Sequence, residues 1–157
     1  MSRSSVPAGY NSLTPYLIVD GAARAITWYS EALNARELMR LSAPGDKIGH
    51  AEIEIGDSRI MLADEAPDHD AKAPGAFGGS PISLLLYVSD VDAMMTKAAA
   101  AGATIKAQPE DKFYGDRMGT LVDPFGHTWH ISTHIEDVTV EEIERRMGAM
   151  CNEDPSG

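Results

Sequence analysis

Two stretches decide the fold when set side by side. The first is Pro15-Tyr16-Leu17-Ile18-Val19, followed by residues 22–33. The second is Ile82-Ser83-Leu84-Leu85-Leu86-Tyr87-Val88, followed by residues 91–101. Each pairs a short apolar run rich in strand formers with a helical pattern. In the first, Ala22, Ala25, Ile26, Tyr29 and Leu33 recur at helical spacing. In the second, Ser89 and Asp90 are side chains that cap helix starts, and Gly102 is suited to end the helix. Three strand candidates follow each helix: residues 36–41, 49–55 and 59–63, then 104–107, 119–123 and 128–133. A unit of strand, helix and three strands therefore occurs twice, with Val19 and Val88 at equivalent positions.

This repeat predicts an α+β chain of two βαβββ modules, residues 13–65 and 82–135. The segment between them, residues 66–81, lacks periodicity. With Glu65 in front it holds three prolines and three glycines, so it reads as a flexible surface loop, either a plain linker or a flap over a site. A third helix is expected over residues 136–150. Thr139 and Glu142 form a capping box there, and Val140, Ile143, Met147 and Met150 make one apolar stripe that would pack on the body or on a second subunit. Residues 152–157 read as irregular.

Composition narrows the partners. The 157 residues carry 13 Lys and Arg against 24 Asp and Glu, a formal net charge of -11. Phosphate backbones and anionic lipid repel such a chain, which argues against nucleic acid and membrane surfaces. No apolar run approaches the roughly 20 residues of a membrane helix. Met1-Ser2-Arg3-Ser4-Ser5 has no apolar segment behind it, unlike a secretory signal. One cysteine, Cys151, cannot form an intrachain disulfide, and a cytoplasmic setting is expected.

Few residues could carry chemistry. Alternation along His50-Ala51-Glu52-Ile53-Glu54-Ile55 puts His50, Glu52 and Glu54 on one strand face, either solvated or lining a polar cavity. Along residues 128–134, His130, Ser132 and His134 share a face, while His127 reads as orienting the turn before it. His69 lies in the loop. Neutral imidazole can ligate a metal or act as a base, but histidine spacing alone is a weak metal signal. The loop Lys112-Phe113-Tyr114-Gly115-Asp116-Arg117 sets an aromatic ring beside a guanidinium. Arg117 either clamps a ligand anion or pairs locally to fix the loop. No GxSxG, GxGxxG or GxxxxGK[ST] pattern is present.

Taken together, Thr14-Pro15-Tyr16-Leu17-Ile18-Val19-Asp20-Gly21-Ala22, Gly49-His50-Ala51-Glu52-Ile53, Gly115-Asp116-Arg117 and Asp123-Pro124-Phe125-Gly126-His127-Thr128-Trp129 form a pattern. It resembles the vicinal oxygen chelate superfamily of glyoxalases, extradiol dioxygenases and bleomycin and fosfomycin resistance proteins, and within it the PhnB-like branch. The resemblance spans roughly residues 13–145. It implies a curved eight-stranded mixed sheet around a cavity, and a homodimer that sometimes exchanges modules. It also implies metal ligands at the first and last strands of each module, which here are Thr14, Met61, Ser83 and His130. Only His130 is a competent ligand, and a catalytic metal usually has three protein ligands.

The expectation is a cytoplasmic protein without a cofactor that binds a small molecule in the cup through Tyr16, His50, Tyr114, Arg117 and His130. The alternative is a metal-dependent lyase, isomerase or dioxygenase whose divalent ion sits in a site rebuilt around His50 and His130. A third reading is a dimer whose cup has lost its ligand.

Overall fold

The computed structural model describes residues 3–153. The first repeat folds as β1 (Tyr16–Val19), α1 (Ala22–Leu33), β2 (Arg36–Ala43), β3 (Lys47–Ile55) and β4 (Ser58–Asp64). The second folds as β5 (Ser83–Tyr87), α2 (Val91–Ala100), β6 (Thr104–Asp111), β7 (Asp116–Val122) and β8 (Thr128–His134), and α3 (Val140–Asn152) follows. Each repeat builds its own sheet, in the orders β1-β4-β3-β2 and β5-β8-β7-β6, with the first strand parallel to the fourth. Within one chain the eight strands thus form two four-stranded ladders, and β1 and β5 are both edges.

Alternation sets the two faces of each sheet. Leu17, Val19, Ala51, Ile53, Leu62, Leu121, Trp129 and Ile131 are buried against the helices. Residues out of phase with them face the other way, and this open face holds Tyr16, His50 and His130. The Gly119 hydrogen lies where a Cβ would come within 2.8 Å of Met95 Cε, so a bare backbone lets α2 seat closely on β7.

The helices seam the modules together. Trp28 Nε1 donates to the Ala101 carbonyl at 2.8 Å, and the Tyr29 hydroxyl donates to Asp123 at 2.6 Å. Asp123 also accepts from Trp129 Nε1 and from the amides of Phe125 and His127. The Tyr29 phenol is held well above its ordinary pKa, first by burial and then by the Asp123 carboxylate.

Three readings from sequence are modified. β6 and β7 run longer than expected, meeting at the Lys112–Gly115 turn. Pro109 and two register shifts in β6 obscure its strand pattern, which an edge strand tolerates. The inter-module segment carries two short 3-10 turns (residues 67–69 and 74–77). In it the Ala73 amide donates to Glu65 and Pro74 is buried. α3 starts at Val140, after its Thr139 cap, rather than at 136, and it still includes Asn152, while residues 154–157 lie outside the described residues. The apolar stripe of α3 remains largely exposed at Val140, Met147 and Met150. The helix is instead fastened through Arg146, which donates to the Phe113 carbonyl and to Glu136. Among the described residues no helix is long and apolar enough to cross a membrane.

Replacing Tyr29 with Phe removes one donor from a buried carboxylate that three others still satisfy. The expected loss is about 1–3 kcal/mol, read as a lower urea midpoint with an unchanged m-value.

Candidate functional site

The open face of the first sheet is laid out by its register. Tyr16 pairs with Met61, Met61 with Glu52, and Glu52 with Met39, forming one row. The next row is Arg59, Glu54 and Arg36, in which Arg36 and Arg59 both donate to Glu54. This pairing, Arg36 first, holds the Glu54 carboxyl below its ordinary pKa. His50 lies opposite Leu41. Its Nδ1 is 2.9 Å from the Tyr16 hydroxyl and its Nε2 is 3.4 Å from Glu52 Oε1. The N-terminal arm crosses this face. The Ala8 carbonyl accepts from Arg59, and the Tyr10 ring lies 4.9 Å from the Arg59 guanidinium carbon. Tyr10's hydroxyl is enclosed beside Glu52 without a well-formed hydrogen bond. Burial first, and then the neighbouring carboxylate, push its phenol pKa up.

The second sheet presents rows of Leu85, His130 and Thr120, then Tyr87, Ser132 and Met118, then Asp116 and His134. His130 Nδ1 is 2.8 Å from Thr120 Oγ1, and the Tyr114 hydroxyl points at Met118 sulfur, 3.8 Å away. Asp116 is buried. It accepts from the Tyr87 hydroxyl at 2.8 Å and lies 2.8 Å from His134 Nδ1. His134 Nε2 lies 2.7 Å from Asp137. An ionised carboxylate only accepts, so this placement favours the imidazolium form of His134, in which both ring nitrogens donate. Burial pushes the Asp116 carboxyl up, but His134 and Tyr87 outweigh it, and the net direction is down. Donating to Asp116 raises the Tyr87 phenol.

The structure brings Tyr16 and His50 together on one sheet, and Tyr114 and His130 onto the other. Arg117 departs from the expectation. It alternates with Asp116 on β7, points to the α2 side, and is held there by Asp92 and Asp111. Asp116 and Arg117 do not pair with each other: Asp116 serves Tyr87 and His134, while Arg117 pairs locally with Asp111 across the turn. His127 donates from Nε2 to the Ile18 carbonyl, joining the second module to β1. Sequence reading placed Glu52 and His134 on the correct faces without giving either a role. Tyr10 and Tyr87 carried no signal, because their partners are 42 and 29 positions away or lie across strands whose register only the fold supplies.

A metal at the positions implied by resemblance does not fit these residues. Thr14, Met61, Ser83 and His130 offer one imidazole among them, and His130 Nδ1 already meets Thr120. His50 and His130 stand on different sheets, His50 between Tyr16 and Glu52. Among the described residues, no three His, Cys, Asp or Glu side chains group closely enough to hold an ion.

Two βαβββ repeats, each with a helix-covered face and an open face, define the paired-module class of α+β protein. The chain belongs to the Glyoxalase/Bleomycin resistance protein/Dioxygenase superfamily, whose family model matches residues 9–131. It is 39% identical over 141 residues to the uncharacterized protein Rv0887c of Mycobacterium tuberculosis, covering 88% of this chain and 83% of that one. Among solved structures it is similar to TioX from Micromonospora sp. ML1, with 27% identity and a TM-score of 0.62, covering 80% of this chain and 99% of that one. It also shares its fold with the PhnB protein from Bacillus cereus, at 15% identity and a TM-score of 0.61, covering 78% of this chain and 99% of that one.

The two carboxylates around His134, Asp137 first and then Asp116, raise its pKa. A raised folded value means the stabilisation is complete below the unfolded value of about 6.5 and is lost as pH rises through the folded value. An NMR titration is expected to place the His134 midpoint above that of a free imidazole, and Asp137→Asn to lower it.

Proposed function

We propose that the chain is a PhnB-like member of its superfamily: a cytoplasmic, cofactor-free protein that binds a small apolar or amphipathic molecule. One observation carries this reading. The open faces of both sheets leave large apolar and aromatic side chains in solvent, Tyr16, Leu41, Leu85 and Tyr87, each with a few placed polar groups nearby. His50 supplies one such group, and His130 and Tyr114 supply others. An apolar wall with a few oriented polar groups is the general character of a ligand site.

The working unit in this reading is a homodimer. β1 and β5 are unpaired edges, and unpaired edges in natural sheets are usually covered. A second copy supplies a matching edge and a facing sheet, closing a cup that one chain leaves open. The lone, exposed Cys151 is consistent with a reducing compartment.

Light scattering on the purified protein is expected to give twice the chain mass. A thermal-shift screen of apolar and amphipathic compounds is expected to yield ligands that saturate. Leu85→Arg puts a charge on the open face at an exposed position. It should weaken such a ligand at least tenfold, about 1.4 kcal/mol, with little change in the melting temperature of the free protein. Unchanged affinity in that variant overturns the cup as the binding site. Elemental analysis showing a stoichiometric metal in the untagged protein overturns the cofactor-free reading.

A further inference from the structure

We infer that Tyr16, His50 and Glu52 form a metal-free proton-transfer site, in which the Tyr16 phenol takes a proton from a small carbon or oxygen acid. The geometry fixes the direction of the relay. Glu52 is the acceptor nearest to His50 Nε2, at 3.4 Å, and a carboxylate can only accept. In the neutral ring the Nε2 nitrogen then carries the proton, and Nδ1 is the free base. The Tyr16 hydroxyl, 2.9 Å away, donates to it. A reactive hydroxyl, a base within hydrogen-bond reach and a third group orienting the base is the arrangement that activates a weak nucleophile or base. A long third contact is common before substrate closes the site.

The surroundings leave this relay free to act. Leu41 from β2 and Met61 from β4 border it, and neither can compete for a proton. Tyr10 from the N-terminal arm stands beside Glu52, and Arg59 is engaged with Glu54 and the arm. Among the described residues, no other charged side chain of these elements hydrogen-bonds or ion-pairs with the imidazole. The tyrosine is 50% exposed and lines a groove of about 390 Å³ shared with Ile18, Lys72, Phe77, Ser80 and His127. This exposure and the groove beside it give a small molecule a path to Tyr16.

In the step itself, the substrate's acidic hydrogen passes to the Tyr16 oxygen as the tyrosine's own proton moves to His50 Nδ1. The bond to the substrate hydrogen breaks and its electron pair stays on the substrate. The imidazolium that forms is held by Glu52 and later returns its proton to water. No oxidant, reductant or metal enters the balance. Tyr16 is the catalytic residue, and His50 and Glu52 position and empty it. The proposal needs neither the dimer nor the cup's ligand, so it can fail while the binding reading stands.

The probe is a nitrobenzisoxazole, in which loss of the ring C–H proton breaks the N–O bond and leaves a coloured cyanophenolate. The intact protein is expected to accelerate this ring opening over buffer. Tyr16→Phe and His50→Gln should each lower the rate at least tenfold, and His69→Gln, in the exposed loop, should leave it unchanged. Glu52→Gln is expected to move the pH–rate profile, which a loss of packing alone would not do. Nitrogen NMR of the native protein reads the relay without any substitution, and His50 is expected as the Nε2–H tautomer. A ring protonated on Nδ1 instead, or equal rates for the native protein and Tyr16→Phe, overturns the proposal.

Discussion

The carboxylate of Asp123 is the point on which the two modules turn. It sits buried at the end of β7 and takes four hydrogen bonds, two from the backbone of its own turn and two from aromatic side chains. One of those, Tyr29, belongs to α1 of the other module. A buried carboxylate with fewer partners would be costly, and with four it is a fixed anchor. The turn it shapes carries His127 to the Ile18 carbonyl, a second inter-module bond. The relative placement of the two open faces follows from this one residue and the helix pair packed beside it.

The same economy appears within each module. Gly21 opens α1 without a side-chain cap, and Asp64 at the end of β4 accepts from the Gly21 and Ala22 amides and, through its other oxygen, from Ile48. Burial works against the Asp64 charge, yet the three amides hold its carboxyl below the ordinary value. A negative charge at a helix start is favourable in its own right. In the second module, Thr133 near the end of β8 accepts from the Val91 amide at the start of α2. The last strand of each repeat thus caps the helix of that repeat, which locks strand, helix and strand into one unit. Gly115 extends the scheme to the tail. A Cβ there would sit 2.2 Å from the Glu136 carbonyl, so only a bare backbone lets the chain after β8 dock on the β6–β7 turn.

How much of this was legible follows from the range of each interaction. The repeat, both module helices and the alternation in β3 and β8 are local patterns, and the sequence carries them plainly. The face shared by His50 and Glu52 could be read because a strand has a period of two. Arg117 could not be placed, since its direction depends on which face of β7 meets α2, and Asp92 lies 25 positions away. The Tyr87 and Asp116 pair is hidden for the same reason. α3 shows the opposite failure: its apolar stripe is a clear local signal, but the fastening comes from Arg146 and leaves the stripe outward.

Each open face carries a tyrosine, a histidine and a carboxylate, and their order decides what each can do. On the second sheet the carboxylate stands in the middle. Asp116 takes the Tyr87 proton donor on one side and the His134 ring on the other, so the charged form of the histidine is favoured and the phenol is tied to an acceptor that a proton would neutralise. Such a chain binds and holds, and it has no vacant base. On the first sheet the histidine stands in the middle, between Tyr16 and Glu52. Its Nδ1 nitrogen faces the phenol rather than a second carboxylate. The two trios sit at different positions of the repeat, since Tyr16 corresponds to Leu85 and Tyr87 to Ile18. With the acid in the middle one set is a clamp, and with the imidazole in the middle the other is able to move a proton.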